Sequence, residues 1–343
     1  MPDRPTDRHE WERPGAHEEA PGVYRIPLPL PGDGLRAVNV YAIAEDNAVV
    51  LIDSGWALTE SRELLADSLA AIGYGLGDVR NFLVTHIHRD HYTQAVAVRR
   101  TYGSRVALGL GEQANLAAIH SRQRPHPDVA RLRAAGAERL AQAVAEWEGV
   151  RDLDDWAEPD SWLDDGVEIA LRSRTLRVIA TPGHTRGHVV YHDVTNQALF
   201  AGDHVLPHIT PSIGTEPARP ASPLRDYLSS LELVRALPDM RLLPAHGPVT
   251  DSVHTRIDEL VAHHERRLTD TAKAVDAGAT SAFEVAHILT WTRRERSFDE
   301  LDLFNQLLAT HETVAHLEVL VERGWLTKTA GTGIDPVDRY TRA

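Results

Sequence analysis

The sequence predicts an α/β fold in which sheets are covered by helices, an αββα layering, with a small helical segment at the end. Three observations carry that reading. The chain has 343 residues, 42% hydrophobic and 25% charged, ordinary values for a folded globular protein. Up to about residue 250, short β-branched runs alternate with stretches of helical spacing. After Asp251 the composition turns to long charged helices followed by a short hairpin pattern. No stretch of 18 apolar residues is present, which excludes a membrane-spanning helix.

Element by element, residues 1–22 are polar and Pro-rich without the apolar core of a secretory signal, and are expected to be a flexible, solvated lead-in. Val23–Leu30, Val38–Ala44 and Ala48–Ile52 read as strands, separated by turn residues at Pro31–Gly34 and Glu45–Asn47. Thr59–Ile72 carries Leu64, Leu65, Leu69 and Ile72 at helical spacing and stops at Gly73 and Gly75. Val79–Thr85 reads as a buried strand and His91–Tyr102 as a helix. Residues 112–150 form a helical insertion interrupted by Pro125-His126-Pro127. Its apolar residues (Leu116, Ile119, Leu132, Leu140, Val144, Trp147) are expected either to pack or to cover the site as a lid. Strands return at Val167–Leu171, Leu176–Ala180, Val189–His192 and Ala198–Ala201, then a helix at Pro223–Leu237 and a strand at Arg241–Leu243. The expected organisation is a catalytic domain over 23–251 and a helical, winged-helix-like domain over 252–343. In the latter, three helices (Asp251–Ala277, Ser281–Trp291, Asp302–Arg323) precede the hairpin Trp325–Thr329 and Asp338–Thr341.

Charge and cysteine content narrow the partners. Lys plus Arg number 36 against 50 Asp plus Glu, a net charge of −14. Such a surface repels polyanions, which disfavours nucleic acid and anionic membranes as partners. The segment from Ser252 onward, with 11 basic and 15 acidic residues, lacks the basic character of a DNA-reading winged helix. Packing or homodimerisation is the expected role of that segment. There is no cysteine, which removes disulfides, thiolate catalysis and thiolate metal ligands together and fits a cytoplasmic protein.

The chemistry concentrates in Thr85-His86-Ile87-His88-Arg89-Asp90-His91, directly after an apolar strand. Ligands collect at the carboxyl ends of strands in open α/β sheets. Three imidazoles and one carboxylate within six residues supply the nitrogen and oxygen donors that zinc and similar ions prefer. Four more segments share the layout of a strand running into a turn with one ligand-type residue. They place Asp53 before Ser54-Gly55, His184 after Gly183, Asp203 after Gly202, and His246 before Gly247.

With these residues the chain resembles the metallo-β-lactamase superfamily from about Val23 to Asp251. His86, His88, Asp90 and His91 meet the pattern H-x-H-x-D-H in full, and His184, Asp203 and His246 match the later single ligands. The resemblance implies an αββα sandwich with two divalent metal ions at one edge. Zinc is the expected ion, with iron and manganese as alternatives that the same donors accept. His86, His88 and His184 would hold the first ion, Asp90, His91 and His246 the second, and Asp203 would bridge them. Asp53 would orient a ligand imidazole by hydrogen bond. Exported β-lactamases of this fold often use a cysteine ligand or lack the bridging aspartate, and flavodiiron relatives carry glutamate at the place of His88. Neither pattern fits. The segments Ala245–Val249, His263–Arg267 and Thr313–Leu317, with Gly324, resemble the β-lactamase-like protein 2 branch. That branch joins such a core to a winged-helix tail and includes carrier-protein thioesterases and an endoribonuclease.

Two metals sharing a water lower its pKa from 15.7 toward about 7, so that a bridging hydroxide attacks a carbonyl or phosphoryl centre. Asp90, Asp203 and His204 are therefore the candidate catalytic residues, with His204 read either as a proton donor to the leaving group or as a histidine packed beneath the metals. Tyr92 and Arg186 are candidate pocket residues, and His188 is expected to be structural. No Gly-x-Ser-x-Gly elbow or P-loop is present, which argues against a serine hydrolase or an NTPase. The expected function is hydrolysis of a small-molecule or carrier-bound ester, thioester or lactone. The alternatives are a metal-dependent endoribonuclease or phosphodiesterase, and a non-catalytic metal-binding or regulatory protein.

Overall fold

The computed structural model describes residues 9–32, 34–121, 126–146 and 153–343. The first sheet holds β1 (His17–Ala20), β2 (Val23–Pro29), β3 (Ala37–Ala44), β4 (Val49–Ile52), β5 (Val79–Leu83), β6 (Arg105–Gly109) and β7 (Ser161–Leu163), in that spatial order. The pairs are antiparallel from β1 to β4 and parallel from β4 to β7. The second sheet has the order β12-β11-β10-β9-β8, built from β8 (Glu168–Ala170), β9 (Thr175–Ala180), β10 (Val189–Asp193), β11 (Ala198–Gly202) and β12 (Arg241–Pro244).

Strand alternation explains why these sheets stack. In β3 and β4, Tyr41, Ile43, Val50 and Ile52 face the second sheet, where they meet Val178, Tyr191, Phe200 and Leu243. Their chain neighbours Val40, Ala42, Val49 and Leu51 face the other way, against Leu65 and Leu69 of α1 (Thr59–Ala71) and Val96 of α2 (Arg89–Tyr102). The second sheet does the same on its outer side. Val190, Leu199, Ala201 and Leu242 pack on Leu224, Tyr227 and Leu231 of α6 (Pro223–Arg235). A period of two on each strand, apolar on both faces, gives helix–sheet–sheet–helix layers.

The insertion contains α3 (Gln113–Ser121), α4 (Pro127–Ala134) and α5 (Glu138–Glu146). Leu116 and Ile119 join the core under α2, while Leu132 and Leu140 are buried in the core of the chain's C-terminal part, with Val144 packed against it. These residues pack rather than overhang. Pro125 and Trp147 lie outside the described residues.

The C-terminal part comprises α7 (Val253–Asp276), α8 (Ala282–Ile288), α9 (Leu303–Glu322) and the antiparallel pair β13 (Leu326–Thr329) and β14 (Arg339–Arg342). Side-chain caps fix the helix starts: Ser252 accepts from Thr255 N, Ser281 from Glu284 N, and Asp302 from Asn305 N. Packing runs across residue 251. Ile257, Leu260, Leu268 and Leu317 share one continuous core with Leu132, Leu199 and Leu224. Among the described residues no helix is long and apolar enough to cross a membrane.

The structure corrects the expectation of a solvated lead-in from residue 9 onward. A short 3₁₀ turn at Glu10–Glu12 precedes β1, which adds to the sheet edge beside β2. Arg25 Nη1 donates to Trp11 O at 2.6 Å, and Arg25 Nε to Glu19 Oε1 at 2.8 Å. β6 and β7 were also not anticipated.

Candidate metal centre

The H-x-H-x-D-H segment sits where β5 ends and α2 begins. His86, Ile87 and His88 form the connection, His88 stands in extended conformation as the residue before α2, and Asp90 and His91 lie in its first turn. His184 follows β9, Asp203 follows β11 and His246 follows β12, so four strand ends of the two sheets face one point. The donor atoms gather in two groups, His86, His88, His184 and Asp203 in one and Asp90, His91 and His246 in the other.

Hydrogen bonds on the far side of each ring decide which nitrogen faces inward. His184 Nδ1 donates to Ser212 O at 2.8 Å and His246 Nδ1 to Ala37 O at 2.7 Å. A carbonyl can only accept, so both rings carry their proton on Nδ1 and aim the Nε2 lone pair at the cluster. His91 Nδ1 pairs with Asp53 Oδ2 at 2.9 Å. The Thr85 hydroxyl donates to the Asp53 carboxylate at 2.9 Å, which leaves it to accept from His86 Nδ1 at 3.1 Å. Asp53, with φ of 60°, also accepts from Thr85 N at 2.8 Å. Asp203 is fixed through its backbone, whose N–H donates to His188 Nε2 at 3.1 Å; His188 Nδ1 in turn meets Thr181 Oγ1 at 2.8 Å.

The inward atoms are spaced as ligands around a cation. His88 Nδ1 lies 3.0 Å from both His86 Nε2 and His184 Nε2, and His184 Nε2 lies 3.4 Å from Asp203 Oδ2. In the other group, His91 Nε2 is 3.6 Å from Asp90 Oδ2 and 3.7 Å from Asp203 Oδ1, and His246 Nε2 is 3.5 Å and 3.4 Å from the same two oxygens. Ligands about 2.0–2.1 Å from a tetrahedral ion sit roughly 3.3 Å from one another. His91 Nε2, His246 Nε2 and Asp203 Oδ1 are buried with no hydrogen-bond partner, an arrangement that is costly unless a cation satisfies it. The donor set therefore fits two divalent ions, with the two Asp203 oxygens facing one group each.

Burial and charge set the protonation. Desolvation, with its histidine neighbours, pushes His88 down to about 3 and His184 to about 4, and holds His86 well below the usual imidazole range. These rings are neutral and offer lone pairs. His91 is pulled down by burial but raised further by Asp53, Asp90 and Asp203, up to about 10. In the absence of metal a proton occupies the place where positive charge is demanded.

The remaining candidates fall differently. Tyr92 is not brought to the cluster: its ring is buried beside Trp156 and its hydroxyl donates to Ala157 O at 2.6 Å. Successive helical residues point about 100° apart, so one step beyond His91 turns into the core. His204 is wholly buried, its ring 5.4 Å from that of Tyr227 and 6.1 Å from that of His188, and burial pushes it down to about 3. That burial matches the packed one of its two readings. Arg186 is exposed, with Nη1 donating to Ala218 O at 3.3 Å; it lines an open cavity of about 400 Å³ with Arg131, Pro217, Ala218 and Arg219. His264, on α7, is buried against His316 at 3.2 Å.

Sequence reasoning missed three buried residues beside the cluster. Glu112 Oε1 accepts from Thr185 Oγ1 at 2.5 Å and from Ile87 N at 3.4 Å. Asn115 Nδ2 donates to Glu112 Oε2 and to Glu216 Oε2, both at 2.7 Å. No motif marks them, because apart from the Asn115–Glu112 bond their partners are distant along the chain.

Fold and site together define a metal-binding protein of the αββα hydrolase type. The metallo-β-lactamase superfamily profile matches residues 33–246, and the chain belongs to that superfamily. It is 36% identical over 125 residues to a Beta-lactamase-like protein 2 homolog of Caenorhabditis elegans, a match covering 36% of this chain and 40% of that relative. Over 312 residues it is 26% identical to the "Probable metallo-hydrolase YqjP" of Bacillus subtilis, covering 86% of this chain and 90% of the relative. Among solved structures, a metallo-β-lactamase family protein of Thermus thermophilus aligns with a TM-score of 0.77 at 27% identity, covering 94% of this chain and 99% of the other. A further relative, the Atrochrysone carboxyl ACP thioesterase of Aspergillus fumigatus, is 23% identical over 72% of this chain and 63% of its own length.

Proposed function

We propose that this chain is a dinuclear metal-dependent hydrolase of an ester, thioester or lactone. His86, His88 and His184 hold one divalent ion, Asp90, His91 and His246 hold the other, and Asp203 spans them. The observation that carries the reading is the convergence of these seven side chains in two groups, with buried, unpartnered nitrogens and carboxylate oxygens turned toward each other. Two bound cations would supply an activated water and polarise a carbonyl oxygen. The chain's own contribution is orientation: Asp53, Thr85, Ser212 O and Ala37 O fix the rings, and His188 holds the backbone of Asp203.

The acyl substrate class is supported by the acidic net charge of −14 and by likeness to a relative named as an acyl-carrier thioesterase. Arg186, exposed and beside Arg131 and Arg219, is read as a contact for an anionic part of a small-molecule or carrier-bound substrate. Zinc is the proposed ion, the cytoplasm the proposed compartment, and the three helices and hairpin after Asp251 a winged-helix-like packing or dimerisation module.

The test is metal analysis of purified protein combined with a turnover screen on acyl-thioesters, lactones, esters and RNA. The expected result is about two equivalents of metal and acyl cleavage that Asp203→Asn abolishes, with RNA left intact. Loaded protein that cleaves RNA and no acyl substrate would favour the phosphodiesterase reading instead, and loaded protein that cleaves nothing in the panel would count against the hydrolase reading.

A further inference from the structure

Five of the seven candidate ligands, all but Asp90 and His91, stand on loops, and loops hold a site only as well as they are fastened. Three of them, His86, His88 and His184, come from two loops of different sheets. One buried carboxylate touches both. Glu112, wholly buried in the 3₁₀ turn that follows β6, accepts from the hydroxyl of Thr185, the residue after His184, and from the backbone N–H of Ile87, the residue between His86 and His88.

The backbone is shaped to bring this carboxylate in. A Cβ on Gly187 would stand 2.1 Å from Glu112 N, and one on Gly111 would stand 2.6 Å from Arg186 O. Only glycine at both positions permits the 184–189 loop to lie against the segment that carries Glu112. The other carboxylate oxygen continues outward. Asn115 on α3 donates to Glu112 and to Glu216 together, Glu216 Oε2 also accepts from Arg186 N at 2.8 Å, and Asn115 Oδ1 accepts from Ala218 N at 2.9 Å. The 211–222 segment that includes Glu216 also provides Ser212 O, the acceptor of His184 Nδ1.

We propose that Glu112 is a positioning residue for the three-histidine half of the metal centre. It clamps the two loops that present His86, His88 and His184, and Asn115 and Glu216 extend the clamp to α3 and the 211–222 segment. The proposal rests on the two-metal reading. Wild-type protein that fails to bind two equivalents would remove that reading before any variant is compared.

The test is metal titration of metal-stripped protein with zinc against a competing chelator, together with the visible spectrum of the cobalt-loaded form. Glu112→Ala is expected to weaken one of the two binding steps by 10–100-fold, the usual scale for losing a group that orients a ligand, and to change the cobalt bands of that step. The other step should move less than about threefold. Glu112→Gln keeps an oxygen for Thr185 and Ile87 while opposing its amide to that of Asn115, and should restore binding to within about fivefold of wild type. Thr185→Val, which removes only the hydroxyl, should reproduce the selective loss and decides the matter if Glu112→Ala does not fold. Equal weakening of both steps, or unchanged binding and cobalt spectrum in a folded Glu112→Ala or Thr185→Val protein, would overturn the proposal.

Discussion

Asp53→Asn is the most informative single change at this centre. Asp53 lies outside the two donor groups, so the variant leaves every candidate ligand in place. Asparagine tolerates the backbone φ of 60° found there and has nearly the same shape. What changes is donor and acceptor balance. The carboxylate accepts from His91 Nδ1 on one oxygen and from Thr85 N on the other, while the Thr85 hydroxyl reaches both. An amide has a single acceptor oxygen, so turned either way its NH2 group confronts a buried donor. One buried donor left without a partner costs about 1–3 kcal/mol. The orientation of His91 is lost as well, which predicts metal binding weaker by 10–100-fold, equivalent to about 1.4–2.8 kcal/mol. Urea unfolding of the metal-free protein reads the first effect, and zinc competition against a chelator reads the second. If Asp53→Asn unfolds within about 0.5 kcal/mol of wild type and binds zinc within about twofold, the carboxylate does not orient His91 and the reasoning fails.

Two further outcomes are expected. Gly202→Ala would place a methyl 2.6 Å from Thr85 Oγ1 and 2.7 Å from His188 Nε2 at a φ of 49°; it should cost roughly 2–5 kcal/mol and displace the adjacent Asp203. A urea midpoint unchanged from wild type would contradict the packing described. Stability of the metal-free protein should also fall as pH drops from about 6.5 toward 4. Burial pushes His311 down to about 4 and His316 to about 3 in the folded state, so below the unfolded value near 6.5 only the unfolded chain takes up these protons. The stability they contribute is complete above that pH and is lost on acidification, and His316→Asn should flatten the slope. A urea midpoint constant between pH 7.5 and 4.5 would refute it.

Much of the site was legible because its signals are local. His86, His88, Asp90 and His91 lie within six residues at a strand end, and each later candidate ligand stands beside a glycine turn. The layering followed from strands apolar on both faces. What escaped depends on contacts across the chain. β1 reads as polar because Glu18 and Glu19 sit at a sheet edge, where Glu19 is held by Arg25 and Arg241 rather than by an apolar face. β7 has three residues, too few to show a period. Tyr92 neighbours the candidate ligand His91 in sequence yet points away from the cluster, a matter of helical phase. Glu112 could not be singled out, since Thr185 is 73 positions away and Ile87 is 25.

The continuous core that joins α7 and α9 to α6 and the second sheet bears on how this chain can be divided. Ending it at residue 251 would strip the cover from Leu224, Tyr227 and Leu231, whose backs support the strands leading to His184 and Asp203. Loss of the last quarter of the polypeptide would thus loosen chemistry built wholly from the first three. A version ended at residue 251 to simplify assay or crystallisation would be expected to aggregate before it could be tested, so the segment after residue 251 belongs in any protein expressed for assay.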